Sequence, residues 1–441
     1  MHVKPNYILP CIVLLALTLR TGFLIRNIET HPYFFFQNTQ SIETQLSSGD
    51  KPYVNDFGYE AANIACAMVC KGEGFASPFG GSTGPTAWAA PGIVLIYALS
   101  FYAFGCFTFS SILFMFLLSL LFSAAMVVLA YRLSFLLFEN QPTACICAAL
   151  VALCPHDLYI FNIMKISDFN IFSFLFLLIF CAFIEYCHSG RKLHLLLFSF
   201  IAGISILFNP VFICSVLSCF LFLIFNAGRD IRPAIQKVSG SLVIMACIIT
   251  PYIAYQNNHL HALTFIKSNS LFELYIGNTS ESTGELSEDL FMKYHPSLNT
   301  REYHAYRAMG EVSYVRSKFS ILLANFNFQR FVKLCMQRFL YFFFIYPGAD
   351  SQQQGWKLLI RYLTYPLTGL SLLLFLAQRW KGKNAYDPLW YAYMISYALP
   401  FLCTGVMWRY SLPLAPLAMI LLGKSLAVFI TMFKANSGLT A

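Results

Sequence analysis

The chain has 441 residues, of which 58% are hydrophobic and only 11% charged, against about 25% charged in an ordinary soluble chain. Its 29 Lys+Arg exceed 20 Asp+Glu, for a net charge of +9, and its mean hydropathy is +0.62. These values exclude a disordered chain and a nucleic-acid binder built on charge, and they leave an integral membrane protein.

A membrane-crossing helix needs about 20 apolar residues. The first candidate is Tyr7 to Ile25. Its short basic start (His2, Lys4) is like that of a signal peptide, but no small-residue cleavage site follows, so the expectation is a retained anchor. Further candidates lie near 107–136, 143–162, 169–187, 193–208, 210–227, 238–256, 355–378, 386–404 and 407–432. Stretches 91–106 and 331–347 read as interfacial or re-entrant.

Charge sets the orientation. With the N-terminus cytoplasmic, Arg132, Arg191, Lys192, Arg229, Arg232, Lys237, Arg379, Lys381, Lys383 and Lys434 all fall in cytoplasmic loops, and both termini are cytoplasmic. Two long segments, about 26–90 and 257–330, then face outward and carry most of the acids. Most of the 14 cysteines lie in apolar runs and read as small apolar filler. Cys66 and Cys70, four apart, face one way on a helix, a poor spacing for a disulfide.

The first outer segment is dense in signal. Ala61 to Val69 reads as a short helix, ended by Lys71-Gly72. Asp56 and Glu60 stand at its start, as helix caps or as a base beside an apolar surface. Gly80, Gly81, Gly84 and Pro85 then shape a turn that leads to Trp88 and Pro91; no lysine follows, so it is not a P-loop.

These residues carry a family resemblance. Asp56-Phe57-Gly58-Tyr59-Glu60, Gly72 to Gly81, and Thr83-Gly84-Pro85-Thr86-Ala87-Trp88 resemble bacterial polyprenyl-phosphate-sugar glycosyltransferases. These are GT-C fold membrane enzymes related to protein mannosyltransferases (glycosyltransferase family 39) and the lipid A aminoarabinose transferase. The resemblance continues through Lys165 to Asp168, Asn209-Pro210, Lys267 to Asn278, His295-Pro296-Ser297, Arg338 to Phe342 and Trp408 to Pro413.

The resemblance implies an all-α polytopic membrane protein: a GT-C-like bundle of roughly 10–13 transmembrane helices with two long periplasmic loops carrying short interfacial helices. Its expected parts are an N-terminal module over 1–256, including the loop 26–90, a large periplasmic loop over 257–330 and a C-terminal region over 331–441. It implies transfer of a sugar from a polyprenyl-phosphate donor to a lipid, glycan or protein acceptor, on the outer side of a bacterial inner membrane. The catalytic base would be Asp56 or Glu60, with Glu60 preferred, and Asp168 matches a second acid that reads equally as an N-cap. A divalent cation, Mg2+ or Mn2+, would rest on Asp56, Glu60 or Asp168.

One departure stands out. Where the aminoarabinose transferase pattern has a phosphate-contacting lysine before a Pro-Pro pair, this chain reads Trp88-Ala89-Ala90-Pro91. Donor-phosphate binding then falls to Arg409, Lys165, Lys267, Arg330 or Arg338; Arg409, near the outer end of the last span, is preferred and reads equally as an interfacial anchor, while Arg338 reads rather as an anchor. Tyr59, Gly84, Pro85, Trp88, Asn269, Glu273 and Asn278 are the expected substrate-loop residues. The alternative classes are a lipid-linked glycan polymerase or flippase, which places essential cations in its spans or loops, and a secondary transporter, which places ionisable groups near the midplane.

Overall fold

The computed structural model describes residues 7–36, 51–53, 57–155, 158, 169–346, 362, 365–379 and 385–436. Asp56, Lys165 and Asp168, and also His156 and Asp157, lie outside the described residues. The described chain is all-helical. In order it forms α1 (Ile8–Thr30), α2 (Pro32–Phe35), α3 (Tyr59–Lys71), α4 (Pro91–Phe104), α5 (Phe109–Phe138), α6 (Gln141–Ala152), α7 (Phe169–Ser189), α8 (Lys192–Phe208) and α9 (Phe212–Phe225). It continues with α10 (Arg232–Leu260), α11 (Ser270–Gly277), α12 (Glu288–Tyr294), α13 (Thr300–Met309), α14 (Glu311–Ala324), α15 (Phe328–Phe343), α16 (Leu367–Arg379), α17 (Asp387–Thr404), a 3-10 turn (Trp408–Leu414) and α18 (Ala415–Asn436).

Five stretches among the described residues are long and apolar enough to cross a membrane: Ile8–Thr30, Phe109–Phe138, Asn170–Ser189, Arg232–Leu260 and Trp408–Phe433. The protein is thus a multi-pass membrane protein. Other expected spans appear as shorter apolar helices. The stretch 193–227 breaks at Asn209-Pro210 into α8 and α9, of 17 and 14 residues. Pro210 lacks an amide to continue the first helix, and the Asn209 side chain accepts the Val211 amide at 3.1 Å, starting the second. At 1.5 Å per residue, 14 residues reach about 21 Å, short of a hydrocarbon core of about 30 Å. Pro91–Phe104, expected as interfacial, is likewise only 14 residues long.

The two ends of the bundle differ in charge. Arg132 near the end of α5 pairs with Glu185 near the end of α7, and Lys237 near the start of α10 lies 5.8 Å from the ring of Tyr186. At the other end of α10, the Tyr255 hydroxyl meets the Phe75 amide at 3.3 Å, and Gln256 donates to the Ile266 carbonyl at 2.9 Å. Residues 237 and 255 of one helix are separated by about 27 Å, nearly a hydrocarbon thickness. The basic loop residues and the two long acid-bearing segments therefore occupy opposite ends of α10.

The two long segments share one apolar core. Phe79 and Trp88 from the first pack with Phe272, Tyr275, Ile276, Leu286, Leu290, Tyr303, Tyr306, Tyr314, Val315 and Leu322 from the second. This cluster is separate from the main core of the helical bundle. The junction with the bundle is tight at Gly277, the last residue of α11. A Cβ there would stand 1.3 Å from the Thr404 carbonyl oxygen at the end of α17. Gly277→Ala is expected to destabilise the protein by more than about 3 kcal/mol, because backbone rather than a flexible side chain must yield. Thermal unfolding in detergent, compared with a neighbouring Ser270→Ala control, measures it.

Candidate active site

Glu60 lies in the first turn of α3, the helix expected from Ala61 to Val69 and found over Tyr59–Lys71. The helix starts from Gly58, whose added Cβ would stand 2.4 Å from the Tyr97 ring. This close approach, with the Tyr97 hydroxyl donating to the Phe57 carbonyl at 3.1 Å, seats the start of α3 directly on α4. The N-cap residue Gly58 makes no side-chain cap bond, so Glu60 is not the cap in the usual sense.

The Glu60 carboxyl is half-buried, and its pKa is raised above the ordinary 4.5. Burial is the main cause; its own backbone amide, Arg409 and Lys267 oppose the rise, and Glu273 adds to it. A net rise in the presence of two cations means that desolvation outweighs them. The group is a stronger base than a solvated carboxylate.

Three distant segments meet here. The Arg409 guanidinium, from the 3-10 turn, lies 5.3 Å from the Tyr59 ring centroid in cation–π geometry. Lys267 Nζ lies 3.9 Å from Glu273 Oε1, and Asn269 Nδ2 donates to the same oxygen at 2.9 Å. Thus Asn269 orients Glu273, and Glu273 pairs with Lys267, whose charge acts on Glu60.

Backbone strain flanks both partners. Tyr59, just before Glu60, has φ 50°, and Ile266, just before Lys267, has φ 62°. Left-handed backbone is costly for an aromatic and more so for a β-branched residue, and such outliers concentrate at functional sites. The Ile266 conformation is held by Gln256 on its carbonyl and, two residues on, by the Ser268 amide donating to the Ala87 carbonyl at 3.0 Å.

Sequence reasoning noted His295 only as part of a short motif; the structure seats it behind Glu60. Its Nε2 lies 3.9 Å from Glu60 Oε1. The ring is buried among Phe79, Trp88, Phe272 and Phe291, and burial pushes its pKa down to about 3. It is therefore neutral, and the contact is not an ion pair. The Ser297 amide donates to Nδ1 at 3.1 Å, so the hydrogen-bond network places the imidazole proton on Nε2, facing Glu60.

Glu311 is a second buried carboxyl, with nothing in its local sequence to mark it. Thr86 and Tyr306 hydroxyls donate to its Oε2, the latter at 2.7 Å, and the Ala87 amide donates to Oε1 at 2.7 Å. Burial raises its pKa, opposed by those donors and Ser268. It ties the first long segment to the start of α14, beside Trp88, whose own amide donates to Thr86 Oγ1 at 3.0 Å.

The other expected loop residues divide. Gly84 and Pro85 form a small turn in which Ser77 N donates to the Gly84 carbonyl at 3.1 Å and Ala76 bridges Pro85. Trp88 is buried edge-on to His295, one layer behind Glu60. Asn278 accepts from Arg338 and donates to the Leu274 and Cys403 carbonyls. Arg338 is fully buried, with its terminal nitrogens on the Gly277, Leu402 and Cys403 carbonyls as well as Asn278. Those bonds make it a clamp between α11, α15 and α17.

As for a metal, Glu60 is the one expected ligand among the described residues, and it faces two cations. That donor set by itself does not suit Mg2+ or Mn2+, which take several oxygens in near-octahedral array.

No protein-family model matches the chain, and no curated protein sequence matches it. Solved structures do. The crystal structure of the Archaeoglobus fulgidus oligosaccharyltransferase in the apo form superposes with a TM-score of 0.54 at 13% identity, over 98% of this chain and 52% of that one. The same organism's enzyme with Zn and sulfate gives 0.54 at 12% identity, over 96% and 49%. Its complex, as AglB, with an inhibitory peptide and a dolichol-phosphate gives 0.50 at 12% identity, over 96% and 51%. The fold is GT-C-like. The chain spans about half the length of the solved proteins it matches, and the similarity at this identity is one of fold.

Proposed function

We propose that this protein is an integral-membrane glycosyltransferase that moves a sugar from a polyprenyl-phosphate donor to a hydroxyl of a lipid, glycan or protein acceptor, on the outer side of a bacterial inner membrane. The observation that carries the reading is the meeting of a base-strength carboxyl, Glu60, with Lys267 and Arg409 at the end of a GT-C-like bundle opposite its basic loops. Glu60 takes the acceptor proton as the hydroxyl attacks the anomeric carbon, and the lipid phosphate leaves from the opposite face, inverting the anomeric centre. Arg409 and Lys267 stand where two cations would stabilise charge gathering on that phosphate, and so help the leaving group without a strong acid. His295, neutral and with its proton toward Glu60, positions the carboxylate rather than acting as base. Asp56 and Asp168 remain the proposed partners of Glu60 for a divalent cation, and no step here depends on one.

Arg409 gives a test with two readouts. Arg409→Ala is expected to lower kcat/KM for the donor by on the order of 100-fold. It also removes one of the charges that hold the Glu60 pKa down, so the acid limb of the pH–rate profile should move to higher pH. Transfer to a membrane-lipid extract from a panel of polyprenyl-phosphate sugars, read by mass spectrometry, measures both. A normal rate with an unmoved acid limb removes Arg409 from the site.

A further inference from the structure

A three-thiol cluster lies at the other end of the helix that carries Glu60. Cys66 and Cys70 are on the last two turns of α3; Cys106 is in the turn between α4 and α5. Their sulfurs all lie within 4.8 Å of one another. Cys70 Sγ is 2.7 Å from Cys106 Sγ, and Cys66 Sγ is 3.8 Å from Cys70 Sγ. Cys66 and Cys106 are buried, and Cys70 is exposed.

We propose that Cys70 and Cys106 form a disulfide that staples the end of α3 to the α4–α5 turn, with Cys66 as a thiol beside it. The inference rests on the outer placement of α3 in the reading above, which puts the cluster in an oxidising compartment. The 2.7 Å approach points to Cys70 as the partner of Cys106, and two observations argue against a shared metal and against a bridge within α3. Sulfurs sharing one tetrahedral zinc ion at about 2.3 Å stand about 3.7 Å apart, so a 2.7 Å approach is too close for a common metal. Cys66 and Cys70 are on one helix at a spacing where the side chains run parallel rather than toward each other, whereas Cys106 comes from a separate element.

The turn is built to receive the bond. Phe107, next to Cys106, is in left-handed backbone at φ 55° and packs on Phe57 and Phe101. Phe57 immediately precedes the start of α3, so the same turn braces the start of the helix by packing and its end by the disulfide.

The chemistry balances with a disulfide oxidant, either a protein or a small molecule. The exposed Cys70 thiolate attacks the oxidant's disulfide and forms a mixed disulfide. The Cys106 thiolate then displaces the oxidant from Cys70. One S–S bond forms in the protein and one is lost in the oxidant; two electrons and two protons leave as the oxidant's dithiol.

The test uses the full chain in native membranes, blocked with N-ethylmaleimide before solubilisation and digested without reductant. Mass spectrometry is expected to find the Cys70 peptide joined to the Cys106 peptide, and Cys66 alkylated once the chain is denatured. Alkylation of both Cys70 and Cys106, or a bridge that involves Cys66, overturns the proposal. So does stoichiometric zinc with three thiols that react only after chelation. In a second measurement, reductant should lower the thermal midpoint of the wild type but leave Cys70→Ser and Cys106→Ser unmoved; a variant that still responds sinks the pairing. Neither readout uses transferase activity. Membrane-impermeant maleimide on a Ser287→Cys variant, above the wild-type background, reads the outer placement separately. Labelling there with an unbridged pair refutes the disulfide alone, and absence of labelling refutes the placement and the disulfide with it.

Discussion

Glu60→Gln is expected to lower the rate of sugar transfer by about 10²–10⁴-fold, the usual contribution of a positioned general base. That is roughly 3–5 kcal/mol of transition-state stabilisation. Glutamine keeps the shape and the hydrogen-bonding reach of the side chain but cannot take a proton. The protein should fold as before, and its thermal midpoint should not fall. The carboxyl's raised pKa means that the folded protein disfavours the ionised form, so removal of that charge relieves a cost that is present above the folded pKa. With Glu60 as the proposed base, acting as the carboxylate, the wild-type rate should fall as pH drops through a pKa above the ordinary 4.5. In Glu60→Gln the residual rate should lose that limb. Full transfer activity in the variant would remove Glu60 as the base and return the role to Asp56.

Glu311→Ala should cost about 3–5 kcal/mol of stability, comparable to breaking other buried charged networks, because it leaves the Thr86, Ala87 and Tyr306 donors buried without their acceptor. Glu311→Gln should cost much less, since an amide oxygen still accepts two of them. The pH dependence separates the two variants further. Glu311 has a folded pKa above its unfolded 4.5, so its contribution is fully present below 4.5 and is lost as pH rises through the folded value. The Gln variant, neutral at every pH, should flatten that part of the stability curve. Thermal unfolding in detergent across the acid range, with proteolysis of the 257–330 segment as the local readout, measures both. If Glu311→Ala unfolds at the wild-type temperature, the clamp between the two long segments contributes nothing.

The effect on function follows from place. Glu311 anchors Thr86 and Ala87, Ala87 holds Ser268, and Ser268 follows Lys267. A loosened clamp should therefore also loosen the cation opposite Glu60. Glu311 touches no reacting atom in this reading and acts through the position of Lys267.

Much of the helical part was legible in the sequence. The spans near 107–136, 238–256 and 407–432 are long apolar runs with little else they can be, and each appears as a helix of spanning length. Helix α3 was legible from its apolar spacing and the Lys71-Gly72 stop, and Gly72 does end it in left-handed backbone at φ 66°. The span lengths were read less well. Helices buried against neighbours can be apolar all round and still fall short of a membrane thickness, so an apolar run alone does not fix a span. The second of the helices joined at Asn209-Pro210 shows it: the break was expected there, but the helix runs only from Phe212 to Phe225.

For the site, composition and position singled out Glu60, Lys267 and Arg409 and preferred Arg409 to Arg338, but could not group them. The two arginines each stand beside aromatic residues in sequence, and the structure parts them. One meets the Tyr59 ring next to Glu60, and the other is enclosed by carbonyl oxygens. Glu311 gave no local signal, and the short motif around His295 did not show its place behind Glu60, because both roles come from burial and partners that other segments supply. The cysteines were misleading in the same way: Cys106 is far from Cys66 and Cys70 along the chain, and only packing brings its sulfur to them.

By itself, then, the sequence determined the solvent this protein lives in, where most of its helices run, and that its scarce acids gather away from its basic loops. Local composition and periodicity are enough for that, since each apolar helix answers to the bilayer residue by residue. Only the tertiary structure decided that Glu60, Lys267 and Arg409 meet, that His295 is neutral, and that Arg338 is a clamp. Those facts depend on desolvation and on distances between segments far apart in the chain, and no spacing along a single segment encodes them.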